Sequence, residues 1–305
     1  MSMLRFSQSR DEDNILLPAA ITDTGYEREL NEDRYFVLET KLGIFWGVLD
    51  GLGGVAGGEV AAQIAMDAFL REVADATPND DPEELLIRAT KEANRVIILR
   101  RQNPNFSGMG TTLVAALITP NRLYVANVGD SRAYIIKDAE ITQITVDHTL
   151  VQQYVDMGKL SPSEALSHPE SHVLTKCLGS DHKLVPDIFT FGIYKNSLCD
   201  TLILCTDGLY SMVSESEIVD IVRSNSPQTA SIKLVELAKH RGGFDNITVA
   251  VIPLPGRVSF EDSSVRVHDS SKFSFGTASS LFKIVVILAL LSIVAVLVVL
   301  IALLI

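Results

Sequence analysis

The chain has 305 residues, a formal net charge of -12 and a pI near 4.9, which excludes non-specific binding to nucleic acid through a basic stripe and leaves room only for a local positive pocket. Its length suffices to bury a full hydrophobic core, and the pattern below favours one domain plus a tail. Three cysteines, Cys177, Cys199 and Cys205, are an odd count without CxxC spacing, so they read as reduced core thiols.

Residues 1–14, MSMLRFSQSRDEDN, lack an apolar h-region and read as a tail rather than a signal peptide. Runs of strand length and β-branched or aromatic content follow at 44–49, 112–118, 123–128, 133–137, 201–206 and 247–252. The second and third are joined through Pro-Asn in ALITPNRLYVANV, which predicts an antiparallel hairpin. Helical spacing of apolar residues predicts helices over 58–74 and 82–101. The second has a start signal in Asp81, Pro82 and Glu84. Ser161, Ser214 and Ser226 give further helix starts, and Gly242 a stop. Two consecutive helices followed by a hairpin do not make an alternating parallel sheet, so the expected class is α+β, with strand layers and paired helices packed outside.

After residue 255 the composition turns to serine and charge, and 256–280 is expected to be a flexible linker. Residues 284–305 are apolar throughout except for Ser292, long enough to cross about 30 Å of hydrocarbon as a helix. Residues 281–305 are therefore expected to anchor the protein in membrane lipid. Lys272 and Lys283 precede the span, which puts the N-terminal body on the cytoplasmic side.

Four aspartates stand where a strand-like run meets glycine or asparagine, or nearly so: Asp50 in VLDGLGG, Asp130 in NVGDSR, Asp207 in LCTDGL and Asp245 in GGFDN. Carboxylates at strand ends can converge on one rim and hold hard divalent cations through oxygen. The glycines after Asp50 also allow a phosphate-cradling turn, but the run matches neither GxxxxGK[ST] nor GxGxxG. Upstream, RELNEDRYF puts Arg28, Glu32 and Asp33 within six residues. At strand alternation Arg28 and Glu32 would face the same side. A guanidinium suits phosphate and a carboxylate suits a cation or its waters, although the string alone reads as a charged surface run.

With RELNEDRYF, VLDGLGG, GMGTTLVAAL, LYVANVGDSRAY, VDHT, LILCTDGLYSMVS and GGFDNITVAVI in this order, the chain resembles the metal-dependent protein phosphatases of type 2C in their bacterial form. The resemblance spans residues 15 to 254. It implies an α+β fold, a β-sandwich of two antiparallel sheets flanked by pairs of antiparallel helices, with a catalytic domain over 15–255 and a flap at about 149–171. It makes Asp50 a carboxylate bridging two metals and Gly51 a backbone-carbonyl ligand, with Asp207 and Asp245 completing the first metal's shell. Glu32 or Asp33 would contact the second metal directly or through water, and Asp130 would share a third with Asp207. Arg28 matches the phosphate-binding arginine.

The implied activity is hydrolysis of phosphoserine and phosphothreonine in phosphorylated proteins by a monomeric catalytic domain. Paired divalent cations, Mn²⁺ or Mg²⁺, would activate water for direct attack on phosphorus without a covalent intermediate. Eukaryotic relatives carry a histidine two residues after the first aspartate; here that residue is Leu52, so the leaving group's proton must come from elsewhere, such as a water on the third metal. Two other readings use the same fold: a catalytically inactive scaffold, and a phosphatase dedicated to one regulatory target. Among the histidines, His148 is expected to be structural, and His168 and His172 to be loop or substrate-contact residues. Trp46 and Tyr124 are expected in the core.

Overall fold

A computed structural model describes residues 17–196 and 198–266. The predicted anchor at 281–305 and the N-terminal tail at 1–14 lie outside the described residues. Among the described residues no helix is long and apolar enough to cross a membrane.

In chain order the first strands are β1 (Ala19–Asp23), β2 (Arg34–Glu39), β3 (Ile44–Leu49) and the two-residue β4 (Gly51–Leu52), followed by helices α1 (Gly54–Val73) and α2 (Pro82–Arg100). Next come β5 (Gly110–Thr111), β6 (Leu113–Ile118), β7 (Arg122–Val128), β8 (Arg132–Lys137) and β9 (Glu140–Gln143). The short helices α3 (Leu150–Asp156) and α4 (Pro162–Leu166) precede β10 (Asp187–Tyr194) and β11 (Thr201–Cys205). Helices α5 (Asp207–Tyr210), α6 (Glu215–Arg223) and α7 (Pro227–His240) lead to β12 (Ile247–Pro253) and β13 (Arg257–Arg266).

The strands form two antiparallel sheets, ordered β1-β12-β11-β8-β9 and β13-β10-β7-β6-β3-β2, and β4 pairs with β5 beside them. Both faces of each sheet are covered, which is why the central strands read as continuous apolar runs. In β6, Val114 and Ala116 point into the core between the sheets. Leu113, Ala115 and Leu117 point the other way, onto Ala61, Ala65 and Phe69 of α1 and Leu86, Ala89 and Ala93 of α2. In β12, Ala250 and Ile252 face the inter-sheet core, while Ile247, Val249 and Val251 meet Ile218 of α6 and Leu234 and Ala238 of α7. The order is therefore helices, sheet, sheet, helices.

The Pro-Asn hairpin forms between β6 and β7 in the register Ile118↔Leu123. Helix α2 starts where expected, with Asp81 accepting from the Glu83 and Glu84 amides. Ser161 and Ser214 each close a full capping box. Trp46 is buried between the sheets and Tyr124 is half-buried against the helix-side core.

Four expectations change. Residues 257–266 are not linker but β13, an edge strand on β10 whose register shifts between Phe191 and Gly192. Val258 is buried there, and Arg257 is tied to Asp200 and Asp138. Helix α1 begins at Gly54, four residues early, because Gly53 takes the turn at φ 116°, a conformation glycine adopts without penalty. Residues 28–33 are irregular and β2 begins only at Arg34, so no pleat aligns Arg28 with Glu32. Cys199 is exposed, Cys177 half-buried and Cys205 buried, all three free, so only Cys205 is a core thiol.

Candidate metal centre

Strand register puts the carboxylates at one end of the sandwich. Leu49, at the end of β3, pairs with Arg34 at the start of β2, which sets Asp50 beside Asp33. Cys205, at the end of β11, pairs with Val249 of β12 and Arg132 of β8, which brings Asp207, the loop before Ile247 and the Gly129–Asp130 turn to the same end.

Local contacts fix each group. Around Asp50 the backbone is held on both sides: its amide contacts Thr112 Oγ1 at 2.9 Å and its carbonyl accepts from Thr111 Oγ1 at 2.8 Å. Gly51 packs backbone to backbone on the first turns of α1, where a Cβ would sit 2.2 Å from the Gly58 carbonyl oxygen. Glu32 accepts from the Gly58 amide at 3.1 Å, at the electropositive start of α1. Asp33 is buried, and its Oδ2 accepts from Thr206 and Thr248 at 2.9 and 2.7 Å. Asp130 is buried, and its carbonyl accepts from the Tyr210 hydroxyl at 3.0 Å. Arg28 Nη2 lies 2.7 Å from Asp245 Oδ2.

The electrostatics are one-sided. Burial, then Asp33, Asp207, Asp130 and Asp245, holds Asp50 well above the ordinary carboxylate range. Burial, against hydrogen bonds from Thr248 and Thr206, pushes Asp33 up to about 7. Burial, then Asp207 and Asp147, pushes Asp130 up to about 8. Burial and Asp207 also raise Asp245, although Arg28 pulls it back. Glu32 is raised by burial against the Glu59 and Gly58 amides. For Arg28, burial would lower the guanidinium, but Asp245, Asp50 and Glu32 carry it above its usual value.

Two buried oxygens, Asp33 Oδ1 and Asp207 Oδ1, have no hydrogen-bond partner among the described residues. Acids that repel each other and leave buried oxygens unpaired fit a hard divalent cation, which an all-oxygen donor set selects. Among the described residues no three of these groups close into a finished ligand cage. They line a rim rather than enclose a centre.

The structure thus gathers all the sequence-predicted residues, Arg28, Glu32, Asp33, Asp50, Gly51, Asp130, Asp207 and Asp245, around one end of the fold. It also shows the groups that hold them, which sequence reasoning passed over. Asn246 accepts from the Glu32 amide and donates to the carbonyls of Thr24 and Leu30, fixing the irregular loop that carries Arg28. Its position inside the GGFDN motif was the available signal. Arg132 binds Asp147 at 2.6 Å and stacks on Tyr210 with its guanidinium 3.6 Å from the ring centroid. His148 is structural, accepting at Nδ1 from the Gly129 amide while Nε2 contacts Asp187 at 3.0 Å. His168 packs edge-on against Tyr154. His172 reaches the rim, with Nδ1 3.4 Å from Asp207 Oδ2, and that contact raises the imidazole's pKa.

A two-sheet α+β fold with a carboxylate rim and one arginine at its mouth defines a class of divalent-cation-dependent proteins acting on anionic groups. Residues 25–237 match the family described as Protein phosphatase 2C, and the chain belongs to that family. It is 37% identical over 238 residues to the serine/threonine protein phosphatase PstP of Mycobacterium tuberculosis, across 78% of this chain and 45% of that protein. The chain thus spans less than half of that relative's length. It is 36% identical to the serine/threonine phosphatase stp of Listeria welshimeri, across 76% of this chain and 93% of that one. Among solved structures, the catalytic domain of PstP in complex with two manganese ions superposes with a TM-score of 0.68 at 34% identity, covering 82% of this chain and 98% of that one.

Proposed function

We propose that this protein is a membrane-anchored serine/threonine phosphatase that hydrolyses phosphoserine and phosphothreonine in proteins phosphorylated by a serine/threonine kinase. The observation that carries the reading is the rim itself: five aspartates with mutually raised or unpaired carboxylates and a single guanidinium at the edge. Asp50, Asp207, Asp245 and the Gly51 carbonyl would hold one cation, and Asp50 with Glu32 or Asp33 a second. Asp130 and Asp207 would hold a third. The two manganese ions of the PstP neighbour support a pair of divalent cations here, Mn²⁺ or Mg²⁺.

The bound cations supply Lewis-acid activation of water and neutralise charge on the phosphoryl group. Arg28 binds the phosphoryl oxygens at the mouth, orienting phosphorus for in-line attack. Thr111 and Thr112 keep the Asp50 backbone fixed while charge shifts, and Asn246 keeps the Arg28 loop in place. Because the attacking nucleophile would be a water rather than a side chain, no covalent phosphoenzyme is needed. An inactive scaffold on the same fold would have no use for the complete acidic set, which counts against that alternative.

Chelator should abolish hydrolysis of an aryl phosphate by the full chain, and Mn²⁺ or Mg²⁺ should restore it. Activity indifferent to chelator would overturn the reading. Asp207→Asn should remove turnover from a folded protein. Anchoring rests on the apolar sequence 284–305: deleting residues 281–305 should move the protein from the membrane to the soluble fraction, and continued membrane association would remove the anchor.

A further inference from the structure

Beside the Arg28 edge of the rim, a cleft of about 460 Å³ runs between β1 and α7. Its apolar lining comes from Ile21 on the strand and Ile232 and Val235 on the helix. Tyr26 stands at one end, 64% exposed, with its amide donating to the Gly243 carbonyl at 2.8 Å. Lys239 lies 5.0 Å from the Tyr26 ring centroid and is held there by Asp23 at 2.8 Å, so the aromatic face is fixed before anything binds. Ile232 remains 37% exposed despite being aliphatic.

The Tyr26 end of the cleft lies close to the rim. Tyr26 is two residues from Arg28 and Gly243 two from Asp245, and those partners form the 2.7 Å ion pair at the mouth. Phe244 and Leu30, on the same two loops, are also exposed. A two-residue separation spans at most about 7 Å, so a side chain about two to four residues from a phosphoresidue at Arg28 reaches the Tyr26 end. Lys239 and Asp23 satisfy each other, and Glu236 and His240 also line the cleft, so it offers an aromatic face and an aliphatic strip set among polar side chains.

We propose that this cleft binds the polypeptide flanking the phosphoresidue of the substrate, taking an apolar side chain between Tyr26 and Ile232. The proposal rests on the phosphatase reading above and adds a determinant of which phosphoproteins are chosen. Exposed apolar residues rimmed by polar ones, close to a site, mark such contacts.

The test uses the full chain in detergent with phosphothreonine peptides in which one Leu or Phe is moved through the flanking positions of a polar sequence, and an aryl phosphate as control. Peptides with the apolar residue two to four positions from the phosphate should have kcat/KM about tenfold above the all-polar peptide. Ile232→Glu and Tyr26→Ala should erase that preference through KM and leave aryl phosphate hydrolysis unchanged. Equal kcat/KM for all peptides, or a preference that survives both variants, overturns the proposal. If wild-type protein hydrolyses no phosphate ester, the phosphatase reading fails, and docking is then read from the anisotropy of a fluorescein-labelled phosphopeptide. Ile232→Glu must still weaken that binding about tenfold, and unchanged binding overturns the proposal. A preference that appears only after deletion of residues 1–16 assigns the cleft to the chain's own N-terminal segment and likewise overturns it.

Discussion

Two groups of buried aspartates stand at the same end of the sandwich and have opposite chemistry. Asp187 receives His148 on one oxygen at 3.0 Å and Lys176 on the other at 2.9 Å; burial would raise its pKa, but those partners outweigh it and hold the carboxyl below its ordinary value. Asp147 is likewise engaged by Arg132. Asp50, Asp33 and Asp130 have no such partner, and burial and one another push them up. Paired buried acids are part of the framework. Unpaired ones are a site waiting for charge, and this is how perturbed acids separate function from structure.

Neutralising one member of each group should therefore have opposite results. Asp50→Asn should lower phosphatase turnover roughly 10³-fold, more than the 10- to 100-fold typical of residues that only support a metal ligand. In chelator it should unfold at the same temperature as wild type or higher, because a repelled charge has been removed. Asp187→Asn should instead destabilise the fold by about 3 kcal/mol, since it leaves His148 and Lys176 beside a neutral group, and should reduce turnover less than tenfold. Thermal unfolding and aryl phosphate kinetics on both variants check this, and a metal-free Asp50→Asn as unstable as Asp187→Asn would erase the distinction.

The rim was legible in the sequence because each of its four strand-end or loop aspartates closes an apolar run or a glycine turn, and a strand covered on both faces cannot hide such a break. The framework acids were not. Asp187 carries no motif, and its meaning comes from His148 and Lys176, which reach it across 39 and 11 residues. Asn246 was visible but its three hydrogen bonds to distant loop backbone were not. The strand β13 escaped because its register shift against Phe191 and Gly192 breaks the period-2 pattern that would mark it. Tyr26 and Ile232 sit 206 residues apart on a loop and a helix, and only the packing of α7 against β1 makes them neighbours.

The smallest effect is a dependence of stability on pH, and its sign separates the two groups without any mutation. A carboxyl raised in the folded state binds its proton more tightly there than in the unfolded chain, so the advantage present below the unfolded value of 3.8 is lost as pH rises through the folded value. For Asp33 and Asp130 that window closes at about 7 and about 8. Asp187 is lowered, so its contribution is intact above 3.8 and is lost only as pH falls below that value. Between about pH 5 and 8 Asp187 is therefore silent, while Asp33 and Asp130 contribute a falling slope. Metal-free protein, followed by calorimetry in chelator, should unfold at progressively lower temperature as pH rises across this interval. Saturating Mg²⁺ should raise the midpoint more at pH 8 than at pH 5, because binding requires the ionised carboxylates. A metal-free midpoint that climbs with pH over the same range would mean that the rim acids are paired in the folded protein after all, and the contrast with Asp187 would fall.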